Sequence, residues 1–248
     1  MLKTHKVLTK NKNYNKYGYL KLKKQLSLKL IKEIKNDISS LKTKFIYKDR
    51  FGKIRRIENI TKKTKNLKKL NQIIIKKIHT KFGKKLKIFK DKCNFKPPGG
   101  AGFDAHYDGI FYFKNKRNIK KEGWNEYSNF FINALIPLDK CNKKNGALEI
   151  AKWHNKEFKD LIKNTNNDGS PMIKKSIEKK LSFKRIDLSL GDILFFSNKC
   201  PHRSKKNFSK TSRMILYYTY SKSKTDNYKK YFKHKMESRN KNSKSLTG

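Results

Sequence analysis

The chain has 248 residues, three cysteines, 35% hydrophobic residues and a formal net charge of +46, and its 12% aromatic residues exclude a wholly disordered chain. It contains no apolar run near the roughly 20 residues of a membrane-spanning helix, and residues 1–12 lack the apolar segment of a secretory signal. The cysteines are far apart and form no CxxC pair, which argues against a disulfide framework and a zinc ribbon and favours a soluble, cytoplasmic protein.

Two amphipathic helices are predicted in the first third of the chain. Residues 17–22 favour a short strand, and apolar residues then recur at helical spacing over 25–42 and again over 64–80. Gly83 is placed to end the second helix. We expect residues 1–85 to form a helical buttress.

After residue 85 the spacing of the apolar residues changes from the helical period of about 3.6 residues to the strand period of two residues. Residues 86–90 alternate, and Pro and Gly at 97–100 predict a turn. Further short strands are predicted at 103–113, 129–138, 146–151, 183–188, 192–197 and 213–221. Several short strands after two helices predict a mostly β fold, a β-sandwich or a jelly roll with flanking helices packed outside.

The remaining segments are polar. Residues 155–182 favour an insert or a helix with loops. Residues 222–248 are predicted to form a basic tail, which three aromatic residues would attach to the barrel: Tyr228, Tyr231 and Phe232. We therefore expect a single domain, 1–248, whose core is the strand-rich segment 86–221.

A histidine and a carboxylate stand two residues apart at His106 and Asp108, a spacing that places both on one face of a strand. His202, just after the predicted strand 192–197, is the candidate for a third ligand. Two imidazoles and one carboxylate leave three positions of an octahedral metal open, which suits non-haem Fe(II). The alternative is that the triplet occurs by chance and that His202 is an ordinary loop histidine.

Arg213 is the first residue of the apolar strand predicted at 213–221. An arginine that leads into a buried strand needs an anionic partner, because an unpaired buried charge is costly. A dicarboxylate co-substrate would bind the guanidinium group in bidentate fashion. The alternative partner is a structural Asp or Glu, of which the chain has only 19.

Around these residues the sequence resembles the phytanoyl-CoA-dioxygenase-type Fe(II)/2-oxoglutarate-dependent oxygenases. The resemblance runs from about Asn94 to His234, and its motifs are residues 96–103, 134–139, 145–149, 191–196, 201–204 and 217–220, with Asn207 and Arg213. It implies a double-stranded β-helix, which is a cupin-like jelly-roll barrel. It also implies an enzyme that uses Fe(II), 2-oxoglutarate and O2 to hydroxylate a substrate, with release of succinate and CO2.

The resemblance also implies a role for individual residues. The implied iron ligands and catalytic residues are His106, Asp108 and His202. The implied co-substrate-binding residues are Arg213 and Ser204, with Trp124, Asn94 and Lys96 in supporting positions. Core packing is the alternative for Trp124, and His154 is expected to be structural. Family members often carry Gln between the metal-binding His and Asp, where this chain has Tyr107.

The substrate is expected to be a small, anionic metabolite. Residues 94–108 and 219–235 are most similar to bacterial-type members of the family that act on small polar metabolites. An organophosphonate such as 2-aminoethylphosphonate is one such substrate, and a CoA thioester is another anionic candidate.

The charge favours two alternatives, a nucleic-acid-directed oxygenase or demethylase and a non-enzymatic polyanion-binding jelly roll. A third alternative is a cupin enzyme without 2-oxoglutarate, against which Arg213 and Ser204 count. Of the 65 basic residues 57 are Lys, and they are spread over every segment, which favours compositional bias over a nucleic-acid site. Non-specific polyanion binding is still expected. The nucleic-acid-directed branch usually has a second Arg six residues after the first, where this chain has Thr219.

Overall fold

A computed structural model describes residues 9–109, 112–114, 120–152, 162–163, 172–223 and 225–241. The described helices are α1 (Lys12–Tyr17), α2 (Leu28–Ser39), α3 (Lys65–Phe82), α4 (Lys175–Glu178) and α5 (Asn227–Lys241), with a 3-10 helix at Gly123–Glu126. The described strands are β1 (Tyr19–Leu22), β2 (Ile46–Lys48), β3 (Ile54–Glu58), β4 (Lys87–Lys96), β5 (Phe103–His106), β6 (Tyr112–Lys114), β7 (Lys120–Glu122), β8 (Phe131–Pro137), β9 (Leu148–Ala151), β10 (Ile162–Lys163), β11 (Met172–Ile173), β12 (Phe183–Arg185), β13 (Ile193–Ser197), β14 (His202–Ser204) and β15 (Arg213–Ser221). His154 and part of the expected insert at 155–182 lie outside the described residues.

Capping residues fix the ends of the two long N-terminal helices. Ser27 and Thr64 precede α2 and α3, and their hydroxyl groups accept hydrogen bonds from the backbone N–H groups of Leu30 and Leu67. Gly83 ends α3 in the left-handed conformation, with a φ of +63°. Both predicted helices are therefore confirmed. Their buried faces pack on the larger sheet through Leu30, Ile31, Ile34, Ile38, Leu67, Leu70, Ile74, Ile78 and Phe82.

The larger sheet has seven strands in the order β1-β13-β8-β15-β4-β3-β2. Its central pair, β4 and β15, is antiparallel and runs from the pair Arg213 and Lys96 to the pair Ser221 and Lys87. Because successive side chains of a strand point to opposite faces, one face of this sheet packs on the helices and the other faces the barrel interior. The helix-facing side chains include Ile132, Ala134, Ile136, Ile193, Phe195, Leu216, Tyr218 and Tyr220.

The smaller sheet has four strands in the order β12-β9-β14-β5. An apolar cluster joins its inner face to that of the larger sheet, with Leu148 and Ile150 on one side and Leu135, Leu194, Phe196 and Ile215 on the other. Two antiparallel sheets that face each other, with spatial neighbours far apart in sequence, form a jelly roll. The predicted mostly β fold with flanking helices is thereby confirmed.

Three local predictions differ from the structure. Strand β5 ends at His106, so Asp108 lies in the bend that follows the strand rather than on it. His202, expected only to follow the strand 192–197, begins a strand of its own, β14, which at three residues is too short to show a period in the sequence. The hairpin β2–β3, which joins β4, was not predicted within the N-terminal buttress, whereas the strand predicted at 17–22 is confirmed as β1, which pairs with β13.

The basic tail contains a helix, α5, that the sequence pattern did not predict. Tyr228 and Phe232 are buried in a cluster with Phe45 and Tyr47, and the Tyr228 hydroxyl donates a hydrogen bond of 2.9 Å to the Asp91 carboxylate. The expected aromatic contacts therefore attach the tail to the β2–β4 edge of the larger sheet. Within the described ranges, no helix is long and apolar enough to cross a membrane.

Candidate metal centre

Two neighbouring strands of the smaller sheet bring the candidate ligands together. His106 and His202 are paired residues of β5 and β14, and their ring centroids lie 4.2 Å apart. Asp108 lies two residues past His106, with its Oδ2 atom 3.8 Å from Nε2 of His202. One ligand atom from each of the three residues lies within 4.8 Å of the other two. This donor set of two imidazoles and one carboxylate fits Fe(II) with open coordination positions.

Backbone carbonyl groups orient both imidazole rings. Nδ1 of His106 donates to the carbonyl oxygen of Asp104 at 2.7 Å, and Nδ1 of His202 donates to that of Cys200 at 3.0 Å. A carbonyl oxygen only accepts, so these hydrogen bonds place the ring proton of each neutral imidazole on Nδ1. Nε2 of each ring is then left with the lone pair that a metal requires.

A hydrogen-bonded chain from the larger sheet holds Asp108. Nδ2 of Asn133 donates to Oδ2 of Asp108 at 2.8 Å, and the Thr219 hydroxyl donates to Oδ1 of Asn133 at 2.8 Å. Nδ2 of Asn198 donates to the backbone carbonyl of Asp108 at 3.3 Å. Asn133 was not among the predicted site residues, although a lone polar residue in the apolar run 131–137 is a signal visible in the sequence.

The turn after Asp108 requires a glycine. Gly109 has a φ of +74°, and a Cβ atom at this position would lie 2.1 Å from the Trp124 ring. The backbone N–H of Trp124 donates to the carbonyl of Gly109 at 2.9 Å. The Trp124 ring packs against Phe89 and Phe131 at centroid distances of 5.3 and 5.2 Å. Trp124 therefore supports the bend that carries Asp108, and its contact with a co-substrate stays a prediction.

The electrostatic surroundings favour the metal-ready forms of two ligands. Burial, and then the neighbouring His202, lower the pKa of His106 to about 4. Burial by itself raises the pKa of Asp108, but His202, Lys92 and Lys90 together outweigh it and lower that pKa to about 2. At neutral pH His106 is neutral and Asp108 is ionised, which are the states that bind a metal.

The unfolding free energy of the metal-free protein is expected to rise with pH between about 4 and 6.5. His106 takes up a proton near pH 4 when folded and near roughly 6.5 when unfolded, so the unfolded chain binds more protons in this window. Stability conferred by neutral His106 is therefore lost as the pH falls. Urea unfolding at several pH values measures how steeply the unfolding free energy rises with pH. The His106→Asn variant is expected to reduce that slope. An unchanged slope in that variant would show that the pKa of His106 is not depressed.

A second cluster of predicted residues lies between the strands β4, β14 and β15. Nζ of Lys96 donates to Oγ of Ser204 at 2.8 Å and to the carbonyl of Lys205 at 2.7 Å. Lys96 is the cross-strand partner of Arg213. Arg213 is 3% exposed; its Nη1 donates to the carbonyl of Gly146, while its Nε has no hydrogen-bond partner among the described residues. Two buried cations without a carboxylate partner in the described ranges fit an anionic ligand.

Asn94 and Asn207 lie next to this cluster, and Tyr107 lies apart from it. Asn94 is buried on the same face of β4 as Lys96, and its Oδ1 atom has no partner in the described part of the chain. Asn207 donates to the carbonyl of Lys96 at 2.8 Å and so ties the end of β4 to the segment that follows β14. Tyr107 lies in a separate apolar cluster with Ala105 and Ile173, rather than between the metal ligands.

Known proteins resemble this chain in sequence and in fold. It is 28% identical to a 2-aminoethylphosphonate dioxygenase from the uncultured bacterium HF130_AEPn_1 over 73% of this chain and 64% of that protein. It is 30% identical to a methylphosphonate hydroxylase from Gimesia maris over 54% of this chain and 45% of that protein. The matched part thus spans less than two thirds of each relative's length.

The fold also matches the crystal structure of the epimerase SnoN from nogalamycin biosynthesis in complex with Fe3+, alpha ketoglutarate and nogalamycin RO. The TM-score is 0.64 at 13% identity, over 84% of this chain and 80% of that one. The sequence model of one family, described as phytanoyl-CoA dioxygenase (PhyH), matches residues 14–215. This match covers all three candidate ligands, strands β1 to β14 and the start of β15, and the chain belongs to the phytanoyl-CoA dioxygenase (PhyH) family.

Proposed function

We propose that the protein is an Fe(II)/2-oxoglutarate-dependent dioxygenase in which His106, Asp108 and His202 bind the iron. The observation that carries this proposal is the convergence of three metal-ready ligand atoms within 4.8 Å at one end of the barrel. Three protein ligands leave positions for a bidentate co-substrate and for O2. Family membership supports the same assignment.

We assign Arg213, Lys96 and Ser204 to the far carboxylate of 2-oxoglutarate. The guanidinium group has an unpartnered Nε, and the Lys96 ammonium group lies 2.8 Å from the Ser204 hydroxyl, so the cluster offers several donors to one carboxylate. Burial, and then Arg213, lower the pKa of Lys96 to about 7, which is the cost of two neighbouring cations without an anion. A bound dicarboxylate would offset that cost. Asn94 lies on the same face and is assigned to the wall of this pocket.

When bound, iron, 2-oxoglutarate and O2 supply the oxidising power to hydroxylate a substrate C–H bond, with conversion of 2-oxoglutarate to succinate and CO2. The chain's own residues hold the iron ligands in place and orient them. Carbonyl groups fix the two imidazole rings, Asn133 fixes Asp108, and Gly109 with Trp124 shapes the bend. Preorganised ligands keep the coordination geometry constant while substrates enter and products leave.

We further propose a small anionic metabolite of the organophosphonate class as the substrate. The names of the two curated relatives support this class, and so does the excess of cations inside the barrel. We place the reaction in the cytoplasm, because all three cysteines are buried and free, as expected in a reducing compartment. The net charge of +46 adds non-specific, salt-dependent binding of polyanions.

Anaerobic titration tests the proposal. Fe(II) followed by 2-oxoglutarate is expected to give a weak visible charge-transfer band, and air with 2-aminoethylphosphonate or methylphosphonate is then expected to give succinate. Iron binding without the band would point to a cupin of another chemistry. Absence of iron binding would favour the polyanion-binding alternative, for which salt-dependent nucleic-acid binding is the next assay.

A further inference from the structure

A second group of cations lines the barrel interior on strand β4. Lys90 and Lys92, which we call the inner lysine pair, are two residues apart and therefore point to the same face. Their cross-strand partners on β15 are Thr219 and Tyr217. Thr219 donates to Asn133, which holds Asp108, so the face that carries the pair is the face toward the candidate metal centre.

Neither lysine of the pair has a carboxylate partner within the described ranges. Nζ of Lys90 lies 4.5 Å from the centroid of the Trp124 ring, and Nζ of Lys92 lies 5.0 Å from that of Tyr217. Aromatic faces stabilise a cation by about 0.5–2 kcal/mol. That is small against the cost of removing an ammonium group from water. The protein therefore holds two half-buried ammonium groups beside each other without a counter-charge of their own.

A carboxylate across the strand pair from the inner lysine pair, that of Glu58, is already engaged. Glu58 faces Lys92 across the β3–β4 pair. It forms ion pairs with Arg56, at 3.0 Å, and with Lys235. Four cations thus surround Glu58 and Asp108, and Asp108 is assigned to the iron. This surplus of positive charge lies around strands β3 and β4 of the larger sheet, and it does not follow from the high lysine content of the surface.

The inner lysine pair is close to the metal centre and distinct from the Arg213 cluster. Neighbouring strands lie about 4.8 Å apart, so the Cα atom of Lys90 is about 10 Å from that of Asn133 across β15. Both lysines contribute to the low pKa of Asp108. Lys92 and Lys96 are four residues apart on β4, which is about 13 Å. A small diacid held at Arg213 therefore leaves the inner lysine pair to another anion.

We propose that the inner lysine pair binds the doubly charged headgroup of the primary substrate, a phosphonate, and so places its neighbouring carbon beside the metal. This inference rests on the proposed function and assigns substrate recognition to residues other than the iron ligands. Two ammonium groups with three donors each match a group with three oxygens and two charges better than they match a singly charged carboxylate. Replacement of buried charged groups by apolar residues is often neutral or stabilising, so stability alone does not account for two lysines at these positions.

Calorimetric titration with methylphosphonate tests the inference, on anaerobic protein loaded with Fe(II) and 2-oxoglutarate and on metal-free protein. The Lys90→Met/Lys92→Met variant is expected to bind methylphosphonate roughly 10- to 100-fold more weakly than the wild type. It is expected to keep the visible band and to melt at the same or a higher temperature. Lys90→Arg/Lys92→Arg is expected to recover part of the affinity, and Lys69→Met, which removes an exposed charge on α3, is expected to bind normally.

The outcomes separate the inference from the proposed function. If the wild type gives no visible band with Fe(II) and 2-oxoglutarate, the proposed function is overturned, whatever the affinity for methylphosphonate. A normal band with equal methylphosphonate affinity in wild type and Lys90→Met/Lys92→Met would overturn the role of the pair. So would a wild type that binds inorganic phosphate or acetate but not methylphosphonate. A lysine-dependent preference for methylphosphonate over acetate, with phosphonate-dependent succinate release, supports it.

Discussion

The His202→Ala variant is expected to bind Fe(II) on the order of 100- to 1,000-fold more weakly than the wild type. Four-ligand protein sites bind zinc by roughly 10–16 kcal/mol, which is about 2.5–4 kcal/mol for each ligand. His202 is 4% exposed, and its imidazole lies 3.8 Å from the Asp108 carboxylate, so no other described side chain stands ready to replace it. Turnover of 2-oxoglutarate is expected to fall in proportion to the iron that the variant no longer binds.

Competition with a chromophoric chelator measures the iron affinity of this variant. His79→Ala is the matched control, because His79 is an exposed histidine on α3 and is expected to leave the affinity unchanged. Circular dichroism establishes that both variants fold. Wild-type iron affinity in a folded His202→Ala protein would remove His202 from the ligand set.

The Arg213→Met variant is expected to bind 2-oxoglutarate roughly 30- to 4,000-fold more weakly, which corresponds to the 2–5 kcal/mol of a truncated buried charge pair. Iron affinity is expected to stay unchanged, since Arg213 lies at the start of β15 and the ligands lie on β14, on β5 and in the bend after β5. The loss is expected in the affinity for the co-substrate rather than in its positioning once bound.

Titration of the visible band with 2-oxoglutarate measures this affinity. Arg50→Met, which removes an exposed guanidinium group, is the matched control. Equal weakening of iron and 2-oxoglutarate binding in Arg213→Met would mean that Arg213 supports the metal centre rather than the co-substrate. His202→Ala is expected to weaken iron binding, whereas Arg213→Met is expected to weaken 2-oxoglutarate binding and to leave iron binding unchanged. Measurement of both affinities in both variants therefore separates the two roles.

The sequence predicts those parts of the fold that repeat a pattern over several residues. Apolar spacing, with Gly83 as the C-cap of the second helix, predicts both long helices, and the structure adds the N-caps Ser27 and Thr64. Strand β14 carries His202 in only three residues, so its pairing with β5 depends on tertiary contacts that no local period records. Asp108 reaches His106 through a bend that Gly109 permits, and not through the strand alternation that drew attention to the triplet.

Strand β4 shows most clearly where a sequence pattern misleads. Alternating lysine and apolar residues suggest one solvated face and one buried face. In the structure both faces are covered: Cys93 packs toward the helices and Lys92 toward the barrel interior. A register irregularity between Lys90 and Ile88 shifts the alternation where Phe89 joins Trp124. Lysines that look like surface residues therefore face the barrel interior, and only the pairing of the strands reveals it.

The proposed anchors and the proposed ligands stand on opposite walls of the barrel. The iron ligands belong to the smaller sheet or its β5 bend, whereas Lys90, Lys92 and Arg213 belong to the larger sheet. The apolar cluster between the sheets, with Leu135, Leu148, Ile150, Leu194, Phe196 and Ile215, therefore acts as a spacer. On the proposed roles, the thickness of this cluster would set the distance between the anchored substrate carbon and the iron. Selectivity for one C–H bond over its neighbour then depends on methyl groups that touch neither the substrate nor the metal.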